Sequence, residues 1–142
     1  MITLAKKEDL ERIYELICIL EDKQINKDHF QTVFYNSFNQ QDIHFLVYKI
    51  QDKIVGFMSF YIHHYLHHHQ DTGEIVELIV DPQYRSQNIG KQFLDYAINL
   101  AREYDLEQIE LSTSTYRKKA HRFYEANGYS KDHYNYTLDI KS

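Results

Sequence analysis

Apolar residues recur along the first half of this chain at two different spacings, which predict helices and then strands. Over residues 8–21 and 27–39 they return every three or four positions, as in amphipathic helices. Two runs rich in β-branched and aromatic residues follow at 43–50 and 53–61, joined by the polar pair Gln51-Asp52. Such runs with a two-residue polar connection predict a β-hairpin.

The second half of the chain alternates strand patterns with helix patterns. An apolar run over residues 73–80 predicts a strand that ends before Pro82, because proline lacks the backbone donor that a sheet needs. Broad apolar faces at helical spacing predict helices at 90–104 and 117–126, with a short strand at 109–111 between them. Two further strands are predicted at residues 2–5 and, from the alternation of Tyr134, Tyr136, Leu138 and Ile140, at the C-terminal end.

The predicted order of elements is β, α, α, β, β, β, α, β, α, β. Strand–helix–strand units that follow a hairpin imply an α/β (α+β) fold, a mixed sheet with helices packed on its faces. The 142 residues include one proline and four glycines, which leaves no room for a flexible linker, so a single domain over residues 1–142 is predicted. No apolar run suits a membrane span or a signal peptide, and we expect a cytoplasmic protein without a membrane partner.

Composition and charge exclude some classes of function. A single cysteine, Cys18, excludes an intrachain disulfide and a cysteine-cluster zinc site, and its apolar neighbours favour a buried structural thiol. The net charge of −5 weighs against nucleic acid as a partner, since that binding needs a basic face. The same charge is compatible with a cationic small molecule.

A histidine-rich run, HHYLHHHQ at residues 63–70, raises the question of a metal site. Successive histidines on a strand point to opposite faces, and no cysteine or carboxylate in the run completes a ligand set. We therefore predict no metal. The expectation is that this run lies beside an acceptor cleft, where one or two imidazoles contact substrate or titrate near neutral pH.

The stretch YRSQNIGK, residues 84–91, lies between a predicted strand and the start of a predicted helix. The first turn of a helix has backbone N–H groups without intrahelical partners, and its dipole favours an anion. Residues 87–91 would supply these amides, and Arg85 or Lys91 an added positive charge. The alternative is a solvated turn whose two cations only keep the protein soluble.

Two motifs in order suggest a family. The stretch ELIVDPQYRSQNIGKQFL, with KKAHRFYEANGY further along the chain, resembles the GNAT superfamily of acyl-CoA-dependent N-acetyltransferases. In that family V-x-P-x-x-R ends a strand, the loop (Q/R)-x-x-G-x-(G/A) wraps the pyrophosphate of coenzyme A, and A-x-x-F/L-Y-x-x-x-G-F/Y follows later. The matching residues here are Val80, Pro82, Arg85, Ile89, Gly90, Ala120, Phe123, Tyr124, Gly128 and Tyr129.

The resemblance implies a fold and a cosubstrate. The fold is a mixed, mostly antiparallel central sheet flanked by helices on both faces, and the cosubstrate is acetyl-CoA, with no metal. The backbone of Ile79 and Val80 would pair with the pantetheine arm, and a backbone N–H there would polarise the thioester carbonyl. The diphosphate would be bound by Arg85, Ser86, Gln87, Asn88, Ile89, Gly90 and Lys91.

This chain departs from the family pattern at two positions. Asn88 replaces the first loop glycine, and we expect it to substitute, because asparagine tolerates the left-handed backbone conformation. Arg117 stands where many members have an asparagine that contacts the pantetheine arm or thioester. That contact is either lost here or made by Arg117, Ser114 or Thr113.

The family mechanism is direct attack of an amine on the thioester, and it implies catalytic roles for two side chains. Tyr124 matches the tyrosine beside the thioester sulfur and would protonate the thiolate as a general acid, the alternative being that it only packs against Phe123. Glu77 is the first candidate for the base and Glu74 the second. A solvated strand carboxylate and a water chain remain the alternatives for that role.

Several acceptors are compatible with this interpretation. The tyrosine-rich, acidic composition favours a primary amine of a small molecule, such as a polyamine, an amino acid or an aminoglycoside-like compound. A protein N-terminus or lysine is the alternative acceptor, and a non-catalytic acyl-CoA-binding module is the alternative class, which the presence of Tyr124 disfavours. We expect the acceptor cleft between the first two helices, residues 63–72 and the C-terminal strand. Since family members are often dimers, a homodimer is compatible with the sequence.

Overall fold

A computed structural model of the protein describes residues 1–141, and this range contains five strands and four α-helices. Short 3-10 turns precede the first helix and follow the fourth strand. The elements are β1 (Ile2–Leu4), α1 (Leu10–Glu21), α2 (Lys27–Ser37), β2 (Ile43–Ile50), β3 (Lys53–His63), β4 (Thr72–Val80), α3 (Ile89–Glu103), β5 (Ile109–Leu111) and α4 (Lys118–Ala126).

The chain divides into two compact units, one over Met1–Leu111 and the other from Ser112 onward. The first contains the whole sheet, and the second contains α4. The prediction of a single domain over residues 1–142 stays a prediction. None of the described helices combines the length and the apolar character that a bilayer crossing requires.

The sheet has the strand order β1-β2-β3-β4-β5 within the described residues. The first three pairings are antiparallel and β4–β5 is parallel, which confirms the predicted mixed, mostly antiparallel α/β fold. The predicted hairpin is formed by β2 and β3. Its connection, Gln51-Asp52, has φ values of 50° and 66°, so both residues take the left-handed conformation of the two-residue turn that matches strand twist.

Helices pack on both faces of the sheet. Successive strand residues point to opposite sides, so neighbouring positions of one strand contact different helices. Residue 57 of β3 faces α1 and α2, where Phe57 and Val47 join Ile13 and Phe34 in one buried cluster. Residue 56 faces α3. A Cβ at Gly56 would lie 2.8 Å from Cε2 of Phe93, so this glycine permits α3 to approach the sheet closely.

The ends of α1 and α2 follow from local chemistry. Asp22 ends α1 in a left-handed conformation with φ 54°, and its N–H bonds back to carbonyls of the last turn. Asn26 precedes α2, and its side-chain oxygen accepts a hydrogen bond from the N–H of His29 at 2.9 Å. Both helices therefore lie close to where the apolar spacing predicted them.

The predicted strand over residues 134–140 is wrong, since the described part of the chain has no strand after β5. Alternation of apolar and polar residues suits a strand with one buried face, but a strand also needs a neighbour for its backbone hydrogen bonds. No such ladder is found beyond Leu111 in residues 1–141. The four alternating side chains are 83–91% exposed: Tyr134, Tyr136, Leu138 and Ile140.

Candidate active site

The loop between β4 and α3 has two residues in the left-handed conformation, Ser86 with φ 71° and Asn88 with φ 65°. Asn88 is the N-cap of α3 and adopts the conformation predicted for a glycine substitute, whereas the sequence did not indicate Ser86. No side chain of the described residues caps the start of α3. The first-turn N–H groups and the positive end of the helix dipole are therefore available to an anion.

Two cationic side chains lie near this loop, and each already makes a contact within the protein. Lys91, an exposed residue of α3, has its Nζ 3.1 Å from a carboxylate oxygen of Asp95. Arg85 is exposed, and its Nε donates to the carbonyl of Val80 at 3.2 Å. Gln87 is exposed beside them, while Ile89 is only 2% exposed and attaches the loop to the core. The first-turn amides of α3 and the nearby Arg85 are suited to a diphosphate group. The binding of a diphosphate here stays a prediction.

An ion pair fixes the chain where β4 ends. Arg12 of α1 has Nη2 2.6 Å from Oδ2 of Asp81, and its Nε donates to the carbonyl of Ile54 at 2.9 Å. The other carboxylate oxygen of Asp81 accepts from the N–H of Gln83 at 2.9 Å. The hydrogen bond from Gln83 and the nearby Arg12 lower the pKa of Asp81. Local sequence patterns do not predict this ion pair, because its partners lie 69 residues apart.

The β4 strand is paired over its whole length on one side but not on the other. Its parallel ladder with β5 ends with the pair Ile75–Leu111, although β4 continues to Val80. Among the described strands, residues 76–80 have no partner on that edge. An unpaired edge presents N–H and C=O groups that an extended ligand can bind. The predicted pantetheine-binding residues, Ile79 and Val80, lie on this open edge.

A β-bulge turns two carboxylates toward the same side. The register of β3 with β4 runs from Ser59–Glu77 to Phe60–Ile75, which leaves Val76 as an extra residue. In an unbroken strand, positions 74 and 77 would point to opposite faces. Because of the bulge, Glu74 and Glu77 share the face that carries α1 and α2.

Glu77 is the better placed of the two candidate bases. Its carboxylate is hydrogen-bonded to the hydroxyl of Ser59, and the Ser59 oxygen also accepts from the Glu77 N–H at 2.9 Å. Burial raises the pKa of Glu77, the charges of Glu21 and Glu74 add to this, and the hydrogen bond from Ser59 opposes it. Glu74 is instead engaged with Nε2 of His63 at 2.7 Å. A carboxyl group with a raised pKa accepts a proton near neutral pH more effectively.

A cavity of about 430 Å³ lies between α1, α2 and the sheet face that carries Glu77. Its walls are mostly apolar and aromatic, and burial raises the pKa of its one tyrosine, Tyr61. Residues 63–72 and 134–140, which we expected at the cleft, contribute none of the described lining residues. The lining consists of Ile13, Ile17, Leu20, Glu21, Ile25, His29, Phe30, Val33, Phe34, Phe45, Phe57, Tyr61, Val76 and Glu77.

The second unit contains the other predicted site residues. Tyr124 lies on α4; burial raises its pKa and the nearby Arg117 opposes this. The ring of Tyr129 is 5.9 Å away in an edge-on arrangement, and burial raises the pKa of Tyr129 to about 12. Arg117 is the N-cap of α4, and Thr113 is exposed in the preceding segment. Roles for Thr113, Arg117 and Tyr124 stay predictions.

Three of the histidines at 63–69, namely His63, His64 and His68, lie within hydrogen-bonding distance of carboxylates. His64 lies 2.8 Å from Asp42 and 2.9 Å from Asp71, which raise its pKa, and His68 is 2.7 Å from Glu107. In residues 1–141 no three His, Cys, Asp or Glu side chains are placed to hold a metal ion. Asp71 follows the run directly, but the other carboxylate partners are 11 to 39 residues away, so the histidine run did not predict these pairs.

Most of the cavity wall is likewise not predicted by the sequence. Phe57, Ser59 and Tyr61 alternate along β3 and share the Glu77 face. That alternation is visible in the sequence, but the partner of each residue depends on the bulge. Helix α2 adds Phe30 and Phe34, whose apolar spacing predicted only a buried helix face.

Comparison with known proteins finds relatives in sequence and in fold. A curated aminoalkylphosphonate N-acetyltransferase of Salmonella typhimurium is 36% identical over 133 residues, which cover 94% of this chain and 86% of that protein. A Bacillus halodurans C-125 structure described as a transcriptional regulator superposes with a TM-score of 0.91, at 23% identity and 99% coverage of both chains. A ribosomal-protein-alanine N-acetyltransferase of Brucella melitensis gives 0.82, at 17% identity, over 99% of this chain and 98% of the other. These two structures show the fold alone.

The family model described as the acetyltransferase (GNAT) family matches residues 7–129. That range includes the loop before α3, the open edge of β4, the cavity and Tyr124. The chain therefore belongs to the GNAT family of N-acetyltransferases, whose members use acetyl-CoA as acyl donor.

Proposed function

We propose that this acetyltransferase transfers an acetyl group from acetyl-CoA directly to the primary amine of a small molecule. The observation that carries the proposal is Glu77, a half-buried carboxylate with a raised pKa in the wall of a 430 Å³ cavity, on the strand with the open edge. A small amine fits a cavity of this volume. The Salmonella relative, named for a small-molecule amine, supports the same class of acceptor.

The donor end of the site consists of the open edge of β4 and the start of α3. Acetyl-CoA supplies an acetyl group that is activated as a thioester. The backbone of Ile79 and Val80 would hold its extended arm, and the amides of residues 87–91 with Arg85 would hold its diphosphate. Asn88 and Ser86 give this loop its left-handed turns.

At the acceptor end, Glu77 takes a proton from the ammonium group, directly or through a water molecule. The neutral nitrogen then bonds to the thioester carbonyl carbon, and the carbon–sulfur bond breaks. The nitrogen releases its second proton to solvent, and Glu77 releases the first. Tyr124 gives its hydroxyl proton to the departing thiolate and regains a proton from solvent. The products are the N-acetyl amine, coenzyme A with a free thiol, and one proton.

Other acceptors and locations stay open to test. A protein N-terminus would have to enter the cavity between α1 and α2, which suits a small molecule better. A module that only binds acyl-CoA would not need a carboxylate with a raised pKa in its acceptor cavity. A cytoplasmic location and a homodimer remain predictions.

The first experiment is thermal unfolding with and without excess acetyl-CoA, with free adenosine and acetate as controls. A ligand at about 100 times its dissociation constant adds about 2.7 kcal/mol to the free energy of unfolding, which shifts the midpoint by several degrees. A screen of primary amines follows, in which the free thiol of coenzyme A reports transfer. No shift with millimolar acetyl-CoA, or no thiol from any amine, would contradict the proposal.

A further inference from the structure

The acceptor cavity has an aromatic wall built from both helices and the sheet. The rings of Phe30 and Phe34 are stacked with centroids 5.8 Å apart, Phe34 and Phe45 are stacked at 5.5 Å, and Phe45 meets Phe57 edge-on at 5.5 Å. Phe34 and Phe57 are buried, and Phe30 and Phe45 are partly buried. Such a row offers apolar and aromatic area to an occupant, chiefly from the partly buried rings of Phe30 and Phe45.

The charged groups of the cavity favour a cation. Glu21 and Glu77 line it, together with one imidazole, His29, and no lysine or arginine belongs to the described lining. An ammonium group is stabilised both by a carboxylate and by aromatic ring faces. An anion placed among these groups would lose its hydration without a permanent positive partner.

The permanent cations of the two covering helices are engaged elsewhere. Arg12 supplies that charge on α1 and is bonded to Asp81 and to the carbonyl of Ile54. Lys27 supplies it on α2, where its Nζ is 2.7 Å from Glu11 and 4.5 Å from the ring centroid of Tyr14. Neither can turn to an anionic substrate without breaking these contacts.

We infer that the acceptor is a primary amine on an apolar aryl or alkyl body, without an anionic group. The inference rests on the proposed function, since it names the substrate class of the same site. It sets this chain apart from the Salmonella relative named for aminoalkylphosphonates. The cavity selects the charged nitrogen through Glu77 and Glu21 and the body through its phenylalanine row.

Three matched probes test this substrate class. 2-Phenylethylamine has the aryl body, phenylalanine adds a carboxylate to the same body, and 2-aminoethylphosphonate replaces the ring with a phosphonate. We expect kcat/KM, read from free thiol, to be at least about tenfold higher for 2-phenylethylamine than for either anion. An equal or higher value for either anionic amine overturns the inference and leaves the proposed function standing.

Binding without chemistry separates the two proposals. Each amine is titrated by calorimetry into the protein saturated with coenzyme A, which has no acyl group to transfer. Selective binding of 2-phenylethylamine without thiol release in the acetyl-CoA assay would sink the proposed function but support the ligand class. Absence of 2-phenylethylamine binding, or tighter binding of the phosphonate, overturns the ligand class.

A charge added to the cavity should change this preference. Val33 lines the cavity and is 42% exposed, so Val33→Lys brings a cation there with little loss of packing. We expect the kcat/KM ratio of 2-phenylethylamine to 2-aminoethylphosphonate to fall at least about tenfold. Gln31→Lys adds the same charge at an exposed position of α2 outside the lining and should change the ratio less than about twofold. Equal effects of the two variants would contradict the inference.

A second variant keeps the test independent of Val33. Glu21 is exposed at the end of α1 and lines the cavity, so Glu21→Gln removes one carboxylate with little risk to folding. It should raise the dissociation constant of 2-phenylethylamine by about threefold to tenfold and leave acetyl-CoA affinity unchanged. Unchanged amine affinity would overturn the assigned role of the carboxylates.

Discussion

The two helix layers on this sheet differ in how completely they cover it. On one face, Phe93, Leu94 and Ala97 of α3 are each at most 1% exposed, and Phe93 packs where Gly56 has no side chain. On the other face, α1 and α2 leave a cavity of about 430 Å³ with a carboxylate in its wall. The first layer is packed as a core, and the second combines a core with room for a ligand.

This difference shows how one sheet supports both stability and chemistry. Close packing against α3 stabilises the sheet strongly, since every buried apolar atom finds a neighbour there. On the opposite face Glu77 is held partly out of water, which raises its pKa and disfavours its charged form. Close packing against α3 thereby offsets the cost of desolvating Glu77 on the other face.

Removal of a ring from each layer should show the contrast most strongly. Phe93→Ala leaves a hole beneath α3 and should lower the free energy of unfolding by about 3–5 kcal/mol. Phe30→Ala removes a partly buried ring from the cavity wall and should cost only about 1–2 kcal/mol. Urea unfolding measures both. Equal losses would mean that the two layers are packed alike.

Glu77→Gln should abolish the chemical role of the cavity face while leaving α3 untouched. We expect turnover to fall by about 10²-fold, because the neutral amide cannot accept a proton. The decline of the wild-type rate at acidic pH should also disappear from the pH–rate profile. Glu74→Gln discriminates between the candidates, and a larger loss in that variant would identify Glu74 as the base.

Tyr124→Phe tests a residue of the second unit. Turnover should fall by at least about tenfold because the thiolate loses its proton donor, with little change in acetyl-CoA affinity. Steady-state kinetics and acetyl-CoA titration measure these two quantities. Unchanged turnover would leave Tyr124 a packing partner of Phe123.

The raised pKa of Glu77 also predicts a stability difference that depends on pH. A carboxyl group whose pKa is higher in the folded protein contributes stability below its ordinary pKa of about 4.3 and loses it as pH rises through the raised value. The melting temperature of Glu77→Gln should therefore gain on wild type between pH 4 and 7.5. Thermal unfolding of both proteins at the two pH values measures this, and a constant difference would contradict the raised pKa.

The smallest effect is expected at the start of α3. Asn88→Gly should change the free energy of unfolding by less than about 0.5 kcal/mol and keep acetyl-CoA binding, since both residues accept φ 65°. Asn88→Val should cost about 1–2 kcal/mol, because a β-branched side chain is strained there. Urea unfolding with acetyl-CoA titration measures both variants. A similar loss in both would mean that the asparagine side chain itself is needed.

Local patterns predicted most of the fold. The hairpin was predicted because β-rich runs flank Gln51-Asp52, and α3 because its apolar face is long and regular. The C-terminal strand was predicted from alternation alone, which says nothing about a pairing partner. Alternation and turn chemistry are local, whereas pairing is not.

The candidate site was predicted less completely for the same reason. Asn88 was found because its conformational tolerance is a property of one residue, and its left-handed φ agrees with that expectation. Ser59 and the phenylalanine row were missed because they meet Glu77 only through strand register and helix packing. The ion pair between Arg12 and Asp81 illustrates the same limit, since the residues next to either one give no indication of its partner.

The bulge at Val76 determines which side chains of β4 face the cavity. Side chains of β4 alternate between the two faces of the sheet. One extra residue reverses that alternation for every position on its N-terminal side. If residues 74–77 paired without the bulge, Glu74 and Glu77 would turn toward opposite faces, whereas deletion of Val76 would leave them two positions apart on the same face. One residue inserted between Glu74 and Glu77 and paired within the ladder would therefore change the chemistry of the cavity wall more than most substitutions.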